Sequence, residues 1–207
     1  EKIYKAFLAK LAAAMMSLDQ AGDDYSDCFA IAQSEEGYAS LVDDSWRGST
    51  GALQSADIYD GSAIDFAAEP VGWREAGFDD SQWAEVLSLP MPGRLEQRSM
   101  PAVREVMTIK PVITRRPSGA WAIDCGQNLT GYLALDVTAH ESARLQVRHA
   151  EVLEADGELH TAALRTARAT DTFSIPAGAS RVKPAFTYHG FRFAEVEGDI
   201  SLNAANG

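Results

Sequence analysis

The chain has 207 residues, of which 46% are hydrophobic, and this composition predicts one large or two small packed domains rather than disorder. Its 30 acidic residues outnumber its 18 Lys and Arg residues, and the net charge of −12 disfavours binding to nucleic-acid phosphates. The longest apolar run, Leu11–Met16, is too short to cross a bilayer, so no membrane partner is expected either.

Residues 1–20 have the spacing of an amphipathic helix. Apolar side chains recur there every three or four residues, and alanine, a strong helix former, is abundant. No secretory signal is visible, and the two cysteines, Cys28 and Cys125, form neither a disulfide framework nor a zinc pattern. These features favour a reducing compartment such as the cytoplasm, although a single bridge between the two thiols stays open.

Beyond residue 27 the chain consists of short apolar runs, which Gly, Pro, Asp and Ser separate roughly every ten residues. Apolar side chains alternate with others in Leu133–Val137, Leu145–Val147 and Phe191–Val196, as in strands with one buried face. In the last of these we expect the odd-numbered Phe191, Phe193 and Glu195 to share one face.

The predicted fold class is therefore mainly β, with antiparallel, jelly-roll-like β-sandwich modules and a short N-terminal helix. Two prolines and a glycine break the chain at Leu89–Arg94. We expect a partial jelly-roll-like module with its leading helix at residues 1–95, a β-sandwich module at 96–200, and a linker or end segment at 201–207.

The run GFDDSQW, Gly77–Trp83, predicts a packed turn. Asp79 and Ser81 can supply side-chain oxygens to the turn, while Phe78 and Trp83 pack inward on either side. A sugar or calcium site at this turn is the less favoured alternative.

The segment that begins at Asp43 combines aromatic and acidic residues, which suit the apolar faces and hydroxyl groups of a sugar. Four residues are our candidates for carbohydrate binding: Trp46, Asp60, Glu69 and Trp73. The carboxylates near Asp60 are also a candidate calcium site, although the loop spacing D-x-D-x-D-G is absent. The alternative is that the aromatic residues only pack in a core or along a sheet edge.

Four motifs follow one another in the second module. They are DCGQNLTG at Asp124–Gly131, RHAEVLEADGEL at Arg148–Leu159, LRTARATDTF at Leu164–Phe173 and FTYHGFRFAEVEG at Phe186–Gly198. In this order they resemble the β-sandwich that precedes the catalytic barrel in bacterial α-L-rhamnosidases. The first module resembles the same family in D-x-S-W, D-[IL]-Y-D-G, G-W and G-F-D-D-S-x-W, whereas residues 1–35 do not match it.

The resemblance implies a parent protein that cleaves α-L-rhamnose from glycosides with inversion. In that family the acidic catalytic residues lie on a separate (α/α)₆ barrel, and inversion needs two carboxyl groups about 6.5–9.5 Å apart. The expected partners are therefore a rhamnose-containing glycan and the catalytic barrel domain of the same parent protein. By itself we expect this chain to be non-catalytic.

The motifs of the second module also contain ionisable residues that suit an interdomain face or the edge of a substrate pocket. These are Glu151, Arg165, Asp171 and His189. The alternative is a hydrogen-bonded network with His149 that fixes a loop. Two rival functions stay open: hydrolysis by Glu151 or Asp171, and a purely structural scaffold. The sequence contains no G-x-S-x-G elbow, paired Cys/His zinc spacing or phosphate-binding loop.

Overall fold

The computed structural model describes residues 31–34 and 37–40 as backbone, and residues 46–86 and 103–202 with their side chains. The predicted helix at residues 1–20 lies outside the described residues, as does Cys28. No helix in these described segments is long and apolar enough to cross a membrane.

The chain divides into two compact units. The first takes residues 1–50 and 70–104, and the second takes residues 51–69 and 105–207. The module boundary near residue 95 stays a prediction. The segment 51–69 nevertheless belongs with the second unit, which makes that unit discontinuous in sequence.

The described part of the first unit contains two pairs of short antiparallel strands. Strands β1 (Ile31–Ser34) and β2 (Gly37–Ser40) form one pair, and β3 (Arg47–Gly48) and β6 (Ala84–Glu85) form the other. Just before β6 the predicted packed turn is confirmed. The Ser81 amide donates to Asp79 Oδ1 at 3.0 Å, and the rings of Phe78 and Trp83 lie 5.4 Å apart.

The second unit contains the remaining strands: β4 (Leu53–Asp57), β5 (Gly61–Asp65), β7 (Val112–Arg115), β8 (Trp121–Gly131), β9 (Leu135–Ala139), β10 (Ala143–Ala150), β11 (Thr170–Ile175), β12 (Gly178–Val182), β13 (His189–Glu197) and β14 (Ser201–Leu202). Two short 3₁₀ helices, Phe66–Ala68 and Ala162–Leu164, lie between them. One sheet has the order β4-β5-β11-β10-β13-β8-β7, and a smaller one has the order β12-β9-β14. The mainly β prediction is confirmed.

The core of the second unit draws on both sheets, as in a β-sandwich. The small sheet contributes Leu135 and Val137, and the large sheet contributes Leu145 and Val147, so the predicted alternation in these strands is confirmed. Cys125 is also buried in this core as a free thiol.

The predicted face of the last long strand is wrong. The core takes Phe191 together with Ala194 and Val196, whereas Phe193 and Glu195 do not belong to it. The cause is a shift of register between β13 and β8. Phe191 pairs with Leu129 but Phe193 pairs with Asp124, so one strand bulges and the alternation of faces is reset.

The hairpin of β4 and β5 joins the large sheet through a parallel pairing. Thr172 of β11 pairs with Ala63 of β5, whereas the other pairings in this sheet are antiparallel. The sheet is therefore mixed rather than purely antiparallel as expected.

Candidate functional site

Four polar side chains meet at one end of the large sheet of the second unit. His149 lies near the end of β10, while Asp171, His189 and Ser62 lie at the beginnings of β11, β13 and β5. These positions coincide because β10 runs antiparallel to β11 and β13, and β5 runs parallel to β11. The cluster is buried: His149 and Asp171 are each 1% exposed and His189 is 4% exposed.

The Asp171 carboxylate is the main acceptor of this cluster. Its Oδ1 accepts from the Ser62 amide at 2.8 Å and from the Ser62 hydroxyl at 3.0 Å. Its Oδ2 lies 3.1 Å from His189 Nε2. One buried carboxylate thus links the β4–β5 hairpin to β11 and β13.

Two opposing effects act on the pKa of Asp171. Burial is the largest and raises the pKa, because it penalises the charged form. The hydrogen bond and charge of His189 and the hydrogen bond from the Ser62 amide outweigh it, and the pKa is lowered. The carboxylate is therefore ionised at neutral pH.

His149 has one satisfied and one unsatisfied ring nitrogen. Its Nδ1 lies 2.9 Å from the Ala169 carbonyl oxygen and donates to it, whereas Nε2 is buried and has no hydrogen-bond partner in the part of the chain that the structure describes. Its ring stacks on His189 with centroids 4.2 Å apart and meets the edge of Phe191 at 4.8 Å. Burial, followed by the charge of His189, lowers the pKa of His149 to about 4, so the imidazole is neutral.

Exposed apolar side chains surround this end of the sheet. We call Ile58, Tyr59, Phe186 and Tyr188 the rim, and their exposed fractions range from 42% to 70%. Hydrogen bonds hold the rim segments together: the Ala169 amide donates to the Tyr59 carbonyl, and the Thr187 hydroxyl donates to the Asp57 carbonyl, both at 2.9 Å.

Two non-glycine residues here have strained backbone: Phe186 of the rim, and Ala169, whose amide donates to the rim residue Tyr59. Ala169 has φ +44° and Phe186 has φ +59°, both in the left-handed region. Each such residue costs about 1–3 kcal/mol, which the surrounding contacts must offset. The rim is therefore held in a defined conformation.

A second buried charge lies in β13. Glu195 is 3% exposed and pairs with Arg148 and with Arg116, whose Nε lies 3.2 Å from Glu195 Oε2. Arg116 also bonds Glu158 at 2.5 Å and the Gly157 carbonyl at 2.6 Å. This network fastens the loop after β10 to the large sheet.

A shallow groove of about 230 Å³ lies beside that network. Val112, Leu153 and Phe193 give it a largely apolar lining, and its charged neighbours, Arg116 and Asp124, are already engaged in ion pairs. Among the described residues, the groove therefore offers a sugar few polar groups beyond the Thr114 hydroxyl.

The candidate carbohydrate residues fall in both units. Trp46 and Trp73 lie half-buried in the first unit, and Arg74 stacks on the Trp73 ring at 4.8 Å. Asp60 and Glu69 lie in the second unit. Their joint role in carbohydrate binding stays a prediction.

Asp60 is not free for a metal ion. Its Oδ2 lies 2.6 Å from the Arg168 guanidinium, and this hydrogen bond lowers the pKa of the Asp60 carboxyl. The guanidinium already neutralises the carboxylate that a calcium ion would need. Calcium near Asp60 stays a prediction, without support from this geometry.

Of the four predicted pocket-edge residues, the structure brings Asp171 and His189 together. Glu151 instead accepts from the Asn128 side chain at 3.1 Å. Arg165 is exposed in the loop before β11 and has φ +58°.

Ser62 and Gly61 were not predicted as members of the site. A side chain at Gly61 would come within 2.1 Å of the Thr170 carbonyl oxygen, so only glycine allows the hairpin to approach β11 this closely. The D-[IL]-Y-D-G motif contained that glycine, but no sequence signal indicated its partner across the sheet.

Two family models match the chain side by side. The α-L-rhamnosidase N-terminal domain matches residues 20–107, and the bacterial α-L-rhamnosidase concanavalin-like domain matches residues 114–205. An α-L-rhamnosidase of Streptomyces avermitilis is 36% identical over 157 residues, which are 74% of this chain and 15% of that protein.

Solved structures show the same relationship. The chain is similar to an α-L-rhamnosidase from Dictyoglumus thermophilum, with a TM-score of 0.74, 32% identity, and coverage of 89% of this chain and 23% of that one. The Streptomyces avermitilis α-L-rhamnosidase complexed with L-rhamnose matches with a TM-score of 0.63, 30% identity, and coverage of 84% and 19%. The chain thus spans about a fifth of these relatives.

Proposed function

The chain belongs to the bacterial α-L-rhamnosidase family through these two domains, and on this premise we propose that it is a non-catalytic β-sandwich portion of an α-L-rhamnosidase-like glycoside hydrolase. Its role is to pack against the catalytic barrel that the resemblance implies. The environment of Asp171 and Glu151, the two carboxylates predicted as candidates for hydrolysis, supports a non-catalytic role. Asp171 is buried and fully engaged, and Glu151 lies on the surface with Asn128.

The rim is the observation that carries the packing role. Neighbouring exposed apolar side chains mark interaction surfaces, and the segments that carry these four are fixed by two hydrogen bonds and by the left-handed backbone of Phe186. A rigid apolar surface loses little conformational entropy on docking, which favours a permanent interdomain contact.

A chimaera tests the packing role. This chain replaces the matching domains of the Dictyoglumus thermophilum relative, and the double substitution Tyr59→Ser, Phe186→Ser is then introduced. We expect the substitution to lower the melting temperature and rhamnosidase activity of the chimaera while the isolated chain keeps its melting temperature.

Val112→Ser is the matched control, because Val112 is 69% exposed and lies in β7, at the other edge of the large sheet. An equal loss in the chimaera and the isolated chain would contradict the proposal. So would release of product from an aryl α-L-rhamnoside by the isolated chain, abolished by Asp171→Asn.

Carbohydrate binding is a second candidate function. Tyr59 is 70% exposed beside the Asp60–Arg168 pair, which is the combination of aromatic platform and polar groups that sugars require. Isothermal titration with L-rhamnose, with and without Ca²⁺, tests this on the wild type and on Asp60→Asn. Binding heat in the wild type that Asp60→Asn abolishes would support carbohydrate binding. A titration that gives only the heat of dilution at millimolar sugar would rule it out.

A further inference from the structure

We propose that the buried cluster of His149, Asp171 and His189 is a binding site for a divalent transition-metal ion, for which zinc is the best-suited species. One nitrogen of each histidine and one oxygen of the aspartate lie within 4.8 Å of one another. The three residues come from three strands, so no sequence spacing could have revealed the site. The metal site does not depend on packing against the barrel.

The chemistry of the donors selects the metal. Two imidazoles and one carboxylate suit zinc and related transition ions, whereas calcium prefers a shell made of oxygen. Two ligand atoms of a tetrahedral zinc ion lie about 3.4 Å apart for bonds of about 2.0–2.2 Å. The observed separation of 3.1 Å between His189 Nε2 and Asp171 Oδ2 is close to that value.

The unsatisfied nitrogen of His149 is an independent observation that points to a ligand. Nδ1 donates to the Ala169 carbonyl, which leaves a lone pair on Nε2. That nitrogen is buried with no hydrogen-bond partner among the described residues, in a side chain that is 1% exposed. Metal-binding histidines commonly donate the N–H of their second ring nitrogen to a backbone carbonyl, and this hydrogen bond orients the imidazole.

The surroundings supply the remaining requirements. Asp171 provides the negative charge, and its other oxygen is fixed by Ser62, so the carboxylate is already oriented. The stacked imidazole rings are inclined by 26°, and one ring must turn before both lone pairs converge on a common ion. The metal then replaces the hydrogen bond between His189 and Asp171, and the proton that His189 Nε2 donates in that bond moves to Nδ1, which frees the lone pair of Nε2. Because the site is buried, we expect loading to be fastest during folding.

Refolding of the full chain with and without zinc tests the proposal. After removal of free metal, elemental analysis is expected to give one zinc per chain, and the melting temperature is expected to rise relative to protein refolded with EDTA. Cobalt should load in the same way and give the visible absorption bands of a tetrahedral site.

Substitutions locate the ion. Loss of a hydrogen bond that supports a metal ligand weakens binding roughly 10–100-fold. Asp171→Asn and His149→Gln remove a ligand itself, so we expect them to weaken zinc binding by more than this. His140→Gln and His160→Gln are the matched controls, because neither residue is buried in the cluster, and both should retain the metal.

Three results would overturn the proposal. The first is folded wild-type protein that retains no zinc after refolding with it. The second is zinc that His160→Gln removes, which would place the ion at the surface pair of His160 and Glu154. The third is a folded His149→Gln protein, verified by circular dichroism, that binds zinc and cobalt as the wild type does.

Discussion

At the scale of single residues, the second unit depends on a few buried charges that have defined partners. Asp171 receives three hydrogen-bond contacts, and Glu195 is held by two arginines. Burying a charge is unfavourable unless it is paired, so removing one member leaves the others without compensation. These positions should be far more sensitive to substitution than charged residues on the surface.

Asp171→Asn tests this dependence in metal-free protein. The NH2 group that replaces one oxygen cannot accept a hydrogen bond, so the contacts with either Ser62 or His189 are lost. We expect the free energy of unfolding to fall by about 2–3 kcal/mol. Asp136→Asn is the matched control, because its 3.4 Å contact with Arg181 is exposed and should contribute less than about 1 kcal/mol. Urea denaturation measures both, and equal effects would contradict the special role of Asp171.

The pH dependence of stability follows from His149. Its pKa is about 4 when folded and 6.5 in the reference state, so between these values the unfolded chain binds more protons. The contribution of His149 to stability is therefore complete above pH 6.5 and is lost as the pH drops towards 4, by about 3 kcal/mol in total. The lowered pKa of Asp171 extends the loss to more acidic pH.

Urea denaturation from pH 7.5 to 4 in the presence of EDTA measures this slope. His149→Gln should flatten the decline, whereas His140→Gln should leave it unchanged because His140 is exposed. An identical slope in wild type and His149→Gln would show that another group controls the acid response.

At the scale of elements, the β4–β5 hairpin is docked through a very close backbone approach. Gly61 has φ +103°, and a side chain there would collide with the Thr170 carbonyl oxygen. Gly61→Ala should therefore cost about 3 kcal/mol or more, from backbone strain and overpacking together.

Gly126→Ala is the matched control for that substitution. Gly126 also has a positive φ, +76°, but no atom of the described residues lies within 4 Å of the position that a Cβ would take there, so only backbone strain of about 1–2 kcal/mol is expected. Thermal unfolding followed by circular dichroism compares the two variants. A Gly61 variant as stable as the Gly126 variant would contradict the close approach.

The strands that sequence patterns predicted well are those that pair regularly. Leu145 and Val147 alternate with exposed residues because β10 has regular partners on both sides. The face of Phe193 could not be predicted, because the bulge depends on how β8 pairs with β13 rather than on the sequence of β13 alone. Asp171 and His189 were identified as candidates from their motifs. The role of Ser62 could not be predicted, because it depends on the pairing of β5 with β11.

At the scale of the whole molecule, the second unit is discontinuous in sequence, because β5 supplies a neighbour to β11 from far upstream. The module boundary that the break at Leu89–Arg94 predicts near residue 95 stays a prediction. A module that lacks the segment 51–69 would expose the edge of β11 and leave one oxygen of Asp171 without its donors.

A comparison of the full chain with the fragment of residues 96–202 tests the consequence for stability. The second unit should melt at a lower temperature in the fragment, which should also tend to associate through the uncovered strand edge. Circular dichroism melts and size-exclusion chromatography make the comparison. Equal melting temperatures and a monomeric shorter fragment would show that the hairpin is dispensable.

The pairing of β5 with β11 also sets an order of events during protein synthesis. Ser62 leaves the ribosome 109 residues before Asp171 does, and the hairpin cannot complete its hydrogen bonds in the interval. At about 5–20 residues per second this delay lasts roughly 5–20 s. During that time the nascent hairpin must wait with an unpaired edge, while the stretch that separates it from its partner emerges and begins to fold.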